Sequence, residues 1–168
     1  PRSRAADVSV GIDDRECGEE FSEVAREVGA RYGVCVNRTA TYLNWRYRDN
    51  PTGRFEFVTA RRRGRLRAYA VVSRQTDSAT LEDLYGADES GILETLLAGV
   101  ARRLGDERVA TLDAPVHDSH PLVSTLRRCG FRPRESRPVV AYAPATGWGA
   151  GGRLNGLHWG FLFGDRDS

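Results

Sequence analysis

The sequence contains no lysine and no methionine, and its only cysteines are Cys17, Cys35 and Cys129. Without lysine, the chain cannot use a lysine amine as a nucleophile or form a Schiff base with a substrate. The cysteines are odd in number and lack metal-ligand spacing, so we expect no disulfide framework and a reducing compartment. No apolar run reaches the roughly 18 residues of a membrane span, and no signal peptide opens the sequence. These absences predict a soluble cytoplasmic protein.

The 168 residues are 40% hydrophobic and 29% charged, with a formal net charge of +2. This size predicts one well-buried domain, with or without a tail. The near balance of charge is not typical of a dedicated nucleic-acid binder, so a nucleic-acid partner is not expected. Because no methionine stands at position 1, we expect the chain to be a segment of a longer protein.

Two helices are predicted in the first 50 residues. Residues 1–12 show no periodicity, and apolar residues then recur at helical spacing: Phe21, Val24, Ala25, Val28 and Tyr32. Asp13 or Asp14 is the expected N-cap of this helix. A second, short helix is predicted after a Thr39 cap, and it should end by Asp49 because Pro51 disfavours helical geometry in the residue before it.

The middle of the chain predicts an antiparallel meander of three strands in residues 54–62, 64–74 and 78–86. An amphipathic helix follows, with its apolar stripe running from Ile92 to Leu104 and its end at Gly105. The remaining predictions are a strand in 108–115, a helix ending at Gly130, a strand region in 131–144 and an aromatic strand at Trp159 to Phe163.

Two of these segments, "LEDLYG" with its following helix and "LRRCGF", resemble the GNAT superfamily of N-acyltransferases in their order and spacing. The resemblance covers about residues 37–143. It implies an α/β (α+β) fold with a GNAT-like mixed, mostly antiparallel central sheet flanked by helices. It divides the chain into a helical connector over 1–36, a GNAT-like domain over 37–145, and a Gly-rich linker with an aromatic strand over 146–168.

Two further segments, "YLNWRYRDNPTGRFEFVTA" and "HWGFLFGDRD", look like the C-terminal half of tandem-GNAT proteins. This resemblance implies a possible second GNAT unit in the same parent chain. The implied activity is acyl-CoA-dependent N-acyl transfer to an amine on a small molecule or sugar. The alternative is a non-catalytic GNAT-like half that scaffolds or completes the acceptor site of a catalytic unit.

The resemblance implies acetyl-CoA as co-substrate, with its pyrophosphate bound in the turn before the long helix. The family's loop has the pattern Arg/Gln-x-x-Gly-x-Gly/Ala, whereas "YGADESGI" lacks the Arg or Gln and adds Asp88 and Glu89. The turn therefore either holds phosphates or caps the helix through Asp88 or Ser90. The residues predicted to contact the coenzyme are Leu84, Tyr85, Gly86, Ser90 and Gly91.

The acid and base of a GNAT enzyme have no direct counterpart here. Leu126 occupies the position of the family's usual tyrosine acid, and Ser119 lies closest to the place of its frequent asparagine. We expect His117 or Asp118 of "VHDSH" to act as the base. The alternatives are a polar loop in which Asp118 or Ser119 caps the next helix, and a metal site, for which the sequence lacks further ligands.

Two other features leave alternatives open. Trp45 and Arg46 either line an acceptor cleft or belong to the core. The run "RRRGRLR" is either a solvated turn or a surface for an anionic partner such as a nucleotide-sugar phosphate, a membrane surface or nucleic acid.

Overall fold

The computed structural model describes residues 7–32, 34–87, 91–135, 159–160 and 162. The α-helices in these ranges are α1 (Glu19–Gly29), α2 (Ala40–Leu43), α3 (Ile92–Asp106) and α4 (Leu122–Arg128), and a π-helical turn, Asn44–Arg48, continues α2. The strands are β1 (Val8–Ile12), β2 (Val34–Cys35), β3 (Phe55–Arg62), β4 (Arg65–Arg74), β5 (Ser78–Gly86), β6 (Thr111–Asp113) and β7 (Trp159–Gly160).

Five strands form the central sheet in the order β1-β3-β4-β5-β6. The pairs β1–β3, β3–β4 and β4–β5 are antiparallel, and β5–β6 is parallel. The predicted meander of β3, β4 and β5 is confirmed, and its first turn contains Arg63 and Gly64, both with positive φ. The fold is therefore the predicted mixed α/β type, with a mostly antiparallel sheet flanked by helices.

Helices α1 and α3 cover opposite faces of the sheet. The ring of Phe21 on α1 contacts the rings of Phe57 and Tyr69. Ala68 of β4 points to the other face, because neighbouring residues of a strand alternate, and α3 packs there through Leu93. The buried apolar residues of α1, α3 and the three meander strands form one core cluster.

The helix predictions are largely confirmed. The Thr39 side chain accepts a hydrogen bond from the amide of Tyr42 at 3.1 Å, as an N-cap does, and the helical segment ends before Asp49. The expected cap of α1 is wrong: α1 begins at Glu19, with Gly18 as N-cap and no side-chain cap bond. Asp13 instead pairs with Arg15 and Arg61, at 2.9 and 3.0 Å.

The N-terminal residues contain a strand that the sequence analysis did not predict. β1 pairs with β3 from Val8↔Arg62 to Ile12↔Val58 and forms one edge of the sheet. α3 packs against it so closely that a Cβ on Gly99 would lie 2.6 Å from Val10. β1 and α1 both pack on the sheet of the GNAT-like segment, and the boundary at residues 36 and 37 stays a prediction.

The C-terminal part adds a small parallel pair of β2 with β7, from Val34↔Trp159 to Cys35↔Gly160. Leu162 bridges to Val116. Residues 131–135 have no regular secondary structure, and the rest of the strand region predicted for 131–144 lies outside the described residues.

The arginines of the β3–β4 turn are paired with acidic side chains of the same chain. Ion pairs join Arg61 to Glu20, Arg63 to Asp7, Arg65 to Glu23 and Arg67 to Glu27. Three of these acidic partners follow one face of α1, at the i, i+3 and i+7 positions. Much of the positive charge of "RRRGRLR" is thus compensated within the fold.

Candidate functional site

The parallel strands β5 and β6 stay together over only three residue pairs, from Ser78↔Thr111 to Thr80↔Asp113. β5 continues for six residues to Gly86, and within the described part of the chain no strand pairs with that stretch on the β6 side. The sheet therefore opens into a gap, which has residues 81–86 as one wall and the chain after β6 as the other.

Backbone groups of β5 face this gap. In an antiparallel pair, successive residues direct their N–H and C=O groups alternately toward and away from the partner strand. The amide of Ala87 donates to the carbonyl of Arg67 at 2.8 Å. Near this end of β5, the odd-numbered residues therefore direct their backbone N–H and C=O groups toward β4. The backbone groups of Leu84 and Gly86 consequently point away from β4, into the gap.

A β-bulge lies at the vertex of the gap. The register of β4 and β5 passes from Val72↔Leu81 to Val71↔Asp83 and leaves Glu82 as the extra residue. The hydroxyl of Ser73 donates to the Glu82 carboxylate. Burial raises the pKa of the Glu82 carboxyl, while Ser73 and the charge of Arg46 oppose the shift. The bulge thus holds two adjacent buried carboxylates, Glu82 and Asp83.

Asp83 forms an ion pair with Arg38, and both side chains are fully shielded from solvent. The Nε of Arg38 donates to the two carboxylate oxygens at 2.7 and 2.9 Å, and a terminal nitrogen donates to the carbonyl of Val36 at 3.1 Å. The Arg38 guanidinium also lies 4.4 Å from the centre of the Tyr85 ring. Asp83 in turn accepts a hydrogen bond from the Leu84 amide at 2.9 Å. The gap-facing N–H of Leu84 is therefore already engaged.

A row of rings leads from β5 to the start of α4. The Tyr85 ring lies 6.1 Å from that of Tyr32, and the Tyr32 ring lies 5.4 Å from that of His120. Burial raises the pKa of Tyr32 to about 12. Tyr32 therefore contacts both Tyr85 at the end of β5 and His120 in the chain after β6.

His120 is 2% exposed, and its two ring nitrogens have different surroundings. Nδ1 accepts a hydrogen bond from the Leu122 amide, the first of α4, at 3.1 Å. Nε2 is buried and has no hydrogen-bond partner among the described residues. Burial lowers the pKa of His120 to about 4, and the positive charges of Arg38 and His117 act in the same direction. The side chain is neutral near pH 7.

The predicted bases lie on the turn that precedes His120. His117 is half-buried, and its Nδ1 is engaged by the Ser119 hydroxyl at 2.8 Å and the Ser119 amide at 3.2 Å. Asp118 is exposed. The expected cap of α4 by Asp118 or Ser119 is wrong: Pro121 is the N-cap, and the first helical amide, that of Leu122, donates to the His120 side chain.

The predicted coenzyme residues fall on the gap and on the start of α3. Leu84, Tyr85 and Gly86 are buried at the end of β5. Gly86 permits close packing, since a Cβ there would lie 2.5 Å from Leu93 and 2.8 Å from Ala68. Gly91, with φ +82°, is the N-cap of α3. Ser90, the remaining predicted contact, lies outside the described residues, and so do Asp88 and Glu89.

The predicted acceptor residues lie on the π-helical turn. The Trp45 side chain is 66% exposed and contacts the ring of Tyr42, whereas Tyr47 on the same turn is in the core. Arg46 is half-buried, and its charge acts on Glu82. The alternative that Trp45 belongs to the core is therefore wrong.

Among the described residues, no group of three or more His, Cys, Asp or Glu side chains is arranged to hold a metal ion. His158 lies outside those residues. Nor does any helix in the described ranges have the length and apolar character needed to cross a membrane.

Known proteins resemble this chain in structure rather than in sequence. No protein-family model matches the sequence, and no curated protein matches it significantly. The ribosomal-protein-alanine N-acetyltransferase of Brucella melitensis biovar Abortus 2308 aligns with a TM-score of 0.62 at 14% identity, over 81% of this chain and 99% of that one. A Desulfovibrio desulfuricans protein assigned to the GNAT family of acetyltransferases aligns with a TM-score of 0.56 at 17% identity, over 76% and 87% of the two chains.

This chain has the GNAT fold. An aminoglycoside N-acetyltransferase solved in complex with CoA shares it, with a TM-score of 0.57 and 11% identity over 82% of this chain and 95% of that one. At these identities the similarity establishes the fold alone. The chemistry has to be argued from the residues of the gap.

The sequence did not point to Arg38, Glu82 or Asp83 as residues of the site. It also did not predict that His120 is buried. The signal for Glu82 and Asp83 was present in part, because two acidic residues inside the apolar strand "LEDLYG" break the expected alternation. The partner Arg38 lies 45 positions away from Asp83, so the sequence alone does not connect them.

Proposed function

We propose that this chain is an acyl-CoA-dependent N-acyltransferase, with acetyl-CoA as co-substrate and a primary amine as acceptor. The observation that carries the proposal is the gap between β5 and β6 in a GNAT fold. Its wall offers the carbonyl of Leu84 and the backbone groups of Gly86, and it ends at the N-terminus of α3, whose partial positive charge favours phosphate. A thioester bound there supplies an activated acyl group.

The chain's own residues supply the remaining chemistry. An amine attacks only as a free base, so a group near the gap must accept its proton. We assign this role to Glu82, because it is the bulged residue at the vertex of the gap and burial raises the pKa of its carboxyl, which makes it a better proton acceptor. His117 and Asp118, predicted from the sequence, are the competing candidates on the opposite wall.

Calorimetric titration with acetyl-CoA tests binding, and thiol release in the presence of primary amines tests transfer. We expect Glu82→Gln to lower kcat by about 100-fold while leaving acetyl-CoA binding unchanged. Asp118→Asn and His117→Gln test the other candidates in the same assay. Glu23→Gln, on the exposed face of α1, is the matched control for loss of a carboxylate. Absence of heat at millimolar acetyl-CoA would refute the proposal.

The acceptor site would lie beside Trp45 and Arg46. The exposed indole offers a flat apolar surface of the kind on which sugar rings and amines stack. The aminoglycoside N-acetyltransferase of similar fold acts on an amino sugar, which is consistent with a small-molecule or sugar amine as acceptor here.

A second candidate is a non-catalytic GNAT-like half that scaffolds the acceptor site of a catalytic unit in the same parent chain. The engaged amide of Leu84 favours it, because Asp83 occupies a backbone donor that faces the gap. Leu126 in place of a tyrosine acid favours it too. This candidate predicts that the isolated chain releases no thiol from acetyl-CoA with any amine, and that a neighbouring unit restores transfer.

A further inference from the structure

The tautomer of His120 follows from its hydrogen bond with the Leu122 amide. Nδ1 accepts the Leu122 amide, so it carries a lone pair. A neutral imidazole then bears its proton on Nε2. The buried Nε2 of His120 is therefore an N–H donor, and no described residue accepts from it.

A buried donor without an acceptor is uncommon, because the large majority of buried side-chain polar atoms in native proteins have a hydrogen-bond partner. Its desolvation costs free energy unless a bound molecule supplies the acceptor. His120 lies at the end of the Tyr85–Tyr32–His120 row, on the wall of the gap opposite β5. A molecule bound in the gap would supply the missing acceptor.

Acyl transfer requires a donor of this kind. Attack on a thioester carbonyl places negative charge on its oxygen, and hydrogen-bond donors aimed at that oxygen lower the barrier. On the β5 wall, the Leu84 amide is held by Asp83, which Arg38 fixes in turn. His120 is on the other wall with its donor unused. A neutral imidazole can polarise a carbonyl as an electrophile.

We propose that the Nε2–H of His120 donates to the acyl carbonyl of the thioester bound between β5 and β6, as the oxyanion donor of this site. The inference rests on the proposed function and adds the group that stabilises the transition state. The acceptor nitrogen forms a bond to the carbonyl carbon, and the C=O electron pair moves to the oxygen that His120 contacts. The C=O bond then re-forms, the C–S bond breaks with its pair on the CoA sulfur, and the amine proton passes to Glu82.

Two substitutions test the roles of the two ring nitrogens of His120 separately. His120→Asn keeps a polar atom near Nδ1 to accept from the Leu122 amide but has nothing at the position of Nε2. His120→Gln places an amide N–H near Nε2 but leaves the bond to Leu122 weaker. We expect His120→Asn to lower kcat by about 100-fold with KM and stability near wild type, and His120→Gln to retain more of kcat at lower stability. Ser124→Ala, on the exposed side of α4, is the control for local change.

A second readout does not depend on turnover. In ¹H–¹⁵N spectra, His120 should show the Nε2–H tautomer, and its Nε2–H resonance should move downfield when acetyl-CoA is added without an amine. CoA, which lacks the acyl carbonyl, should not produce this shift. The other two histidines, His117 and His158, provide internal references.

Each result decides the proposal. If the wild-type protein transfers acyl groups and the His120→Asn variant is equally active, the proposal is overturned and the proposed function stands. Loss of activity in both variants in proportion to their stability shows a structural role and also overturns it. An Nε2–H resonance that acetyl-CoA does not move has the same meaning. A wild-type protein that binds no acetyl-CoA overturns both this inference and the proposed function.

Discussion

Arg38 and Asp83 form an ion pair from which solvent is wholly excluded, between the loop before α2 and the middle of β5. Asp83 also binds the Leu84 amide, and Arg38 stacks on Tyr85. The pair therefore ties the N-terminal loop to the strand that forms one wall of the gap.

Removing one partner of this pair should destabilise the protein strongly. Arg38→Met leaves the Asp83 carboxylate buried without its counter-charge, and we expect a loss of about 3–5 kcal/mol in the free energy of unfolding. Urea denaturation measures it. The double variant Arg38→Met/Asp83→Leu should lose less than the single variant, because no charge remains buried. Arg63→Ala breaks a solvent-exposed pair with Asp7 and should cost no more than about 0.5 kcal/mol.

His120 should make the stability of the protein depend on pH between about 4 and 6.5. Its pKa is about 4 in the folded protein, against an ordinary value of 6.5, so between these values the unfolded chain binds a proton that the folded chain does not. The stabilisation is complete above pH 6.5 and falls as the pH drops toward 4, by at most about 1.4 kcal/mol per pH unit. Urea denaturation from pH 4.5 to 7.5 should show this slope in wild type and not in His120→Gln. Equal slopes would contradict the burial of a neutral imidazole.

Gly86 should tolerate no side chain. Gly86→Ala places a methyl group 2.5 Å from the end of the Leu93 side chain and 2.8 Å from the Cβ of Ala68, so Leu93 must change conformation and β4 and β5 must adjust at this pair. We expect a loss of about 1–3 kcal/mol, measured by thermal or urea denaturation. Gly105→Ala is the matched control, because no atom lies within 4 Å of its added Cβ and the residue is helical. It should gain about 0.5–1 kcal/mol.

Trp45→Ala should weaken binding of the amine acceptor while leaving the stability of the protein almost unchanged. Since the side chain is 66% exposed, its removal should change the free energy of unfolding by about 0.5 kcal/mol or less. If the indole contacts the acceptor, KM for the amine should rise while KM for acetyl-CoA stays constant. The comparison variant is Tyr47→Ala, which empties a core position and should cost about 3–5 kcal/mol. An unchanged KM for every amine tested would remove Trp45 from the acceptor site.

The sequence predicted the elements whose apolar residues are regularly spaced. α3 and the strands of the meander are long and strongly periodic, so their positions followed from the pattern. β1 did not, because its alternation of Val8, Val10 and Ile12 is short and half-exposed at a sheet edge. β2 and β7 have two residues each, too few for any period to show.

The candidate site was harder to predict, because its members meet only through the fold. "VHDSH" suggested His117 and Asp118, whereas burial singles out His120, and burial is not visible in a local pattern of polar residues. Glu82 and Asp83 share a face only because a bulge displaces the alternation of β5. Asp88, Glu89 and Ser90, on which the phosphate prediction depends, stay predictions.

β1 precedes its partner strand β3 in the chain, so it is synthesised well before the strand on which it packs. Gly11 of β1 and Thr59 of β3 meet in the sheet from positions 48 apart, whereas tight turns join β3 to β4 and β4 to β5. Closing the long loop costs more entropy than closing the turns, so we expect the meander to form first and β1 to dock onto it last. Pulse-labelling hydrogen exchange during refolding should protect the amides of β4 before those of β1. The sheet is then completed by the strand that was synthesised before the meander.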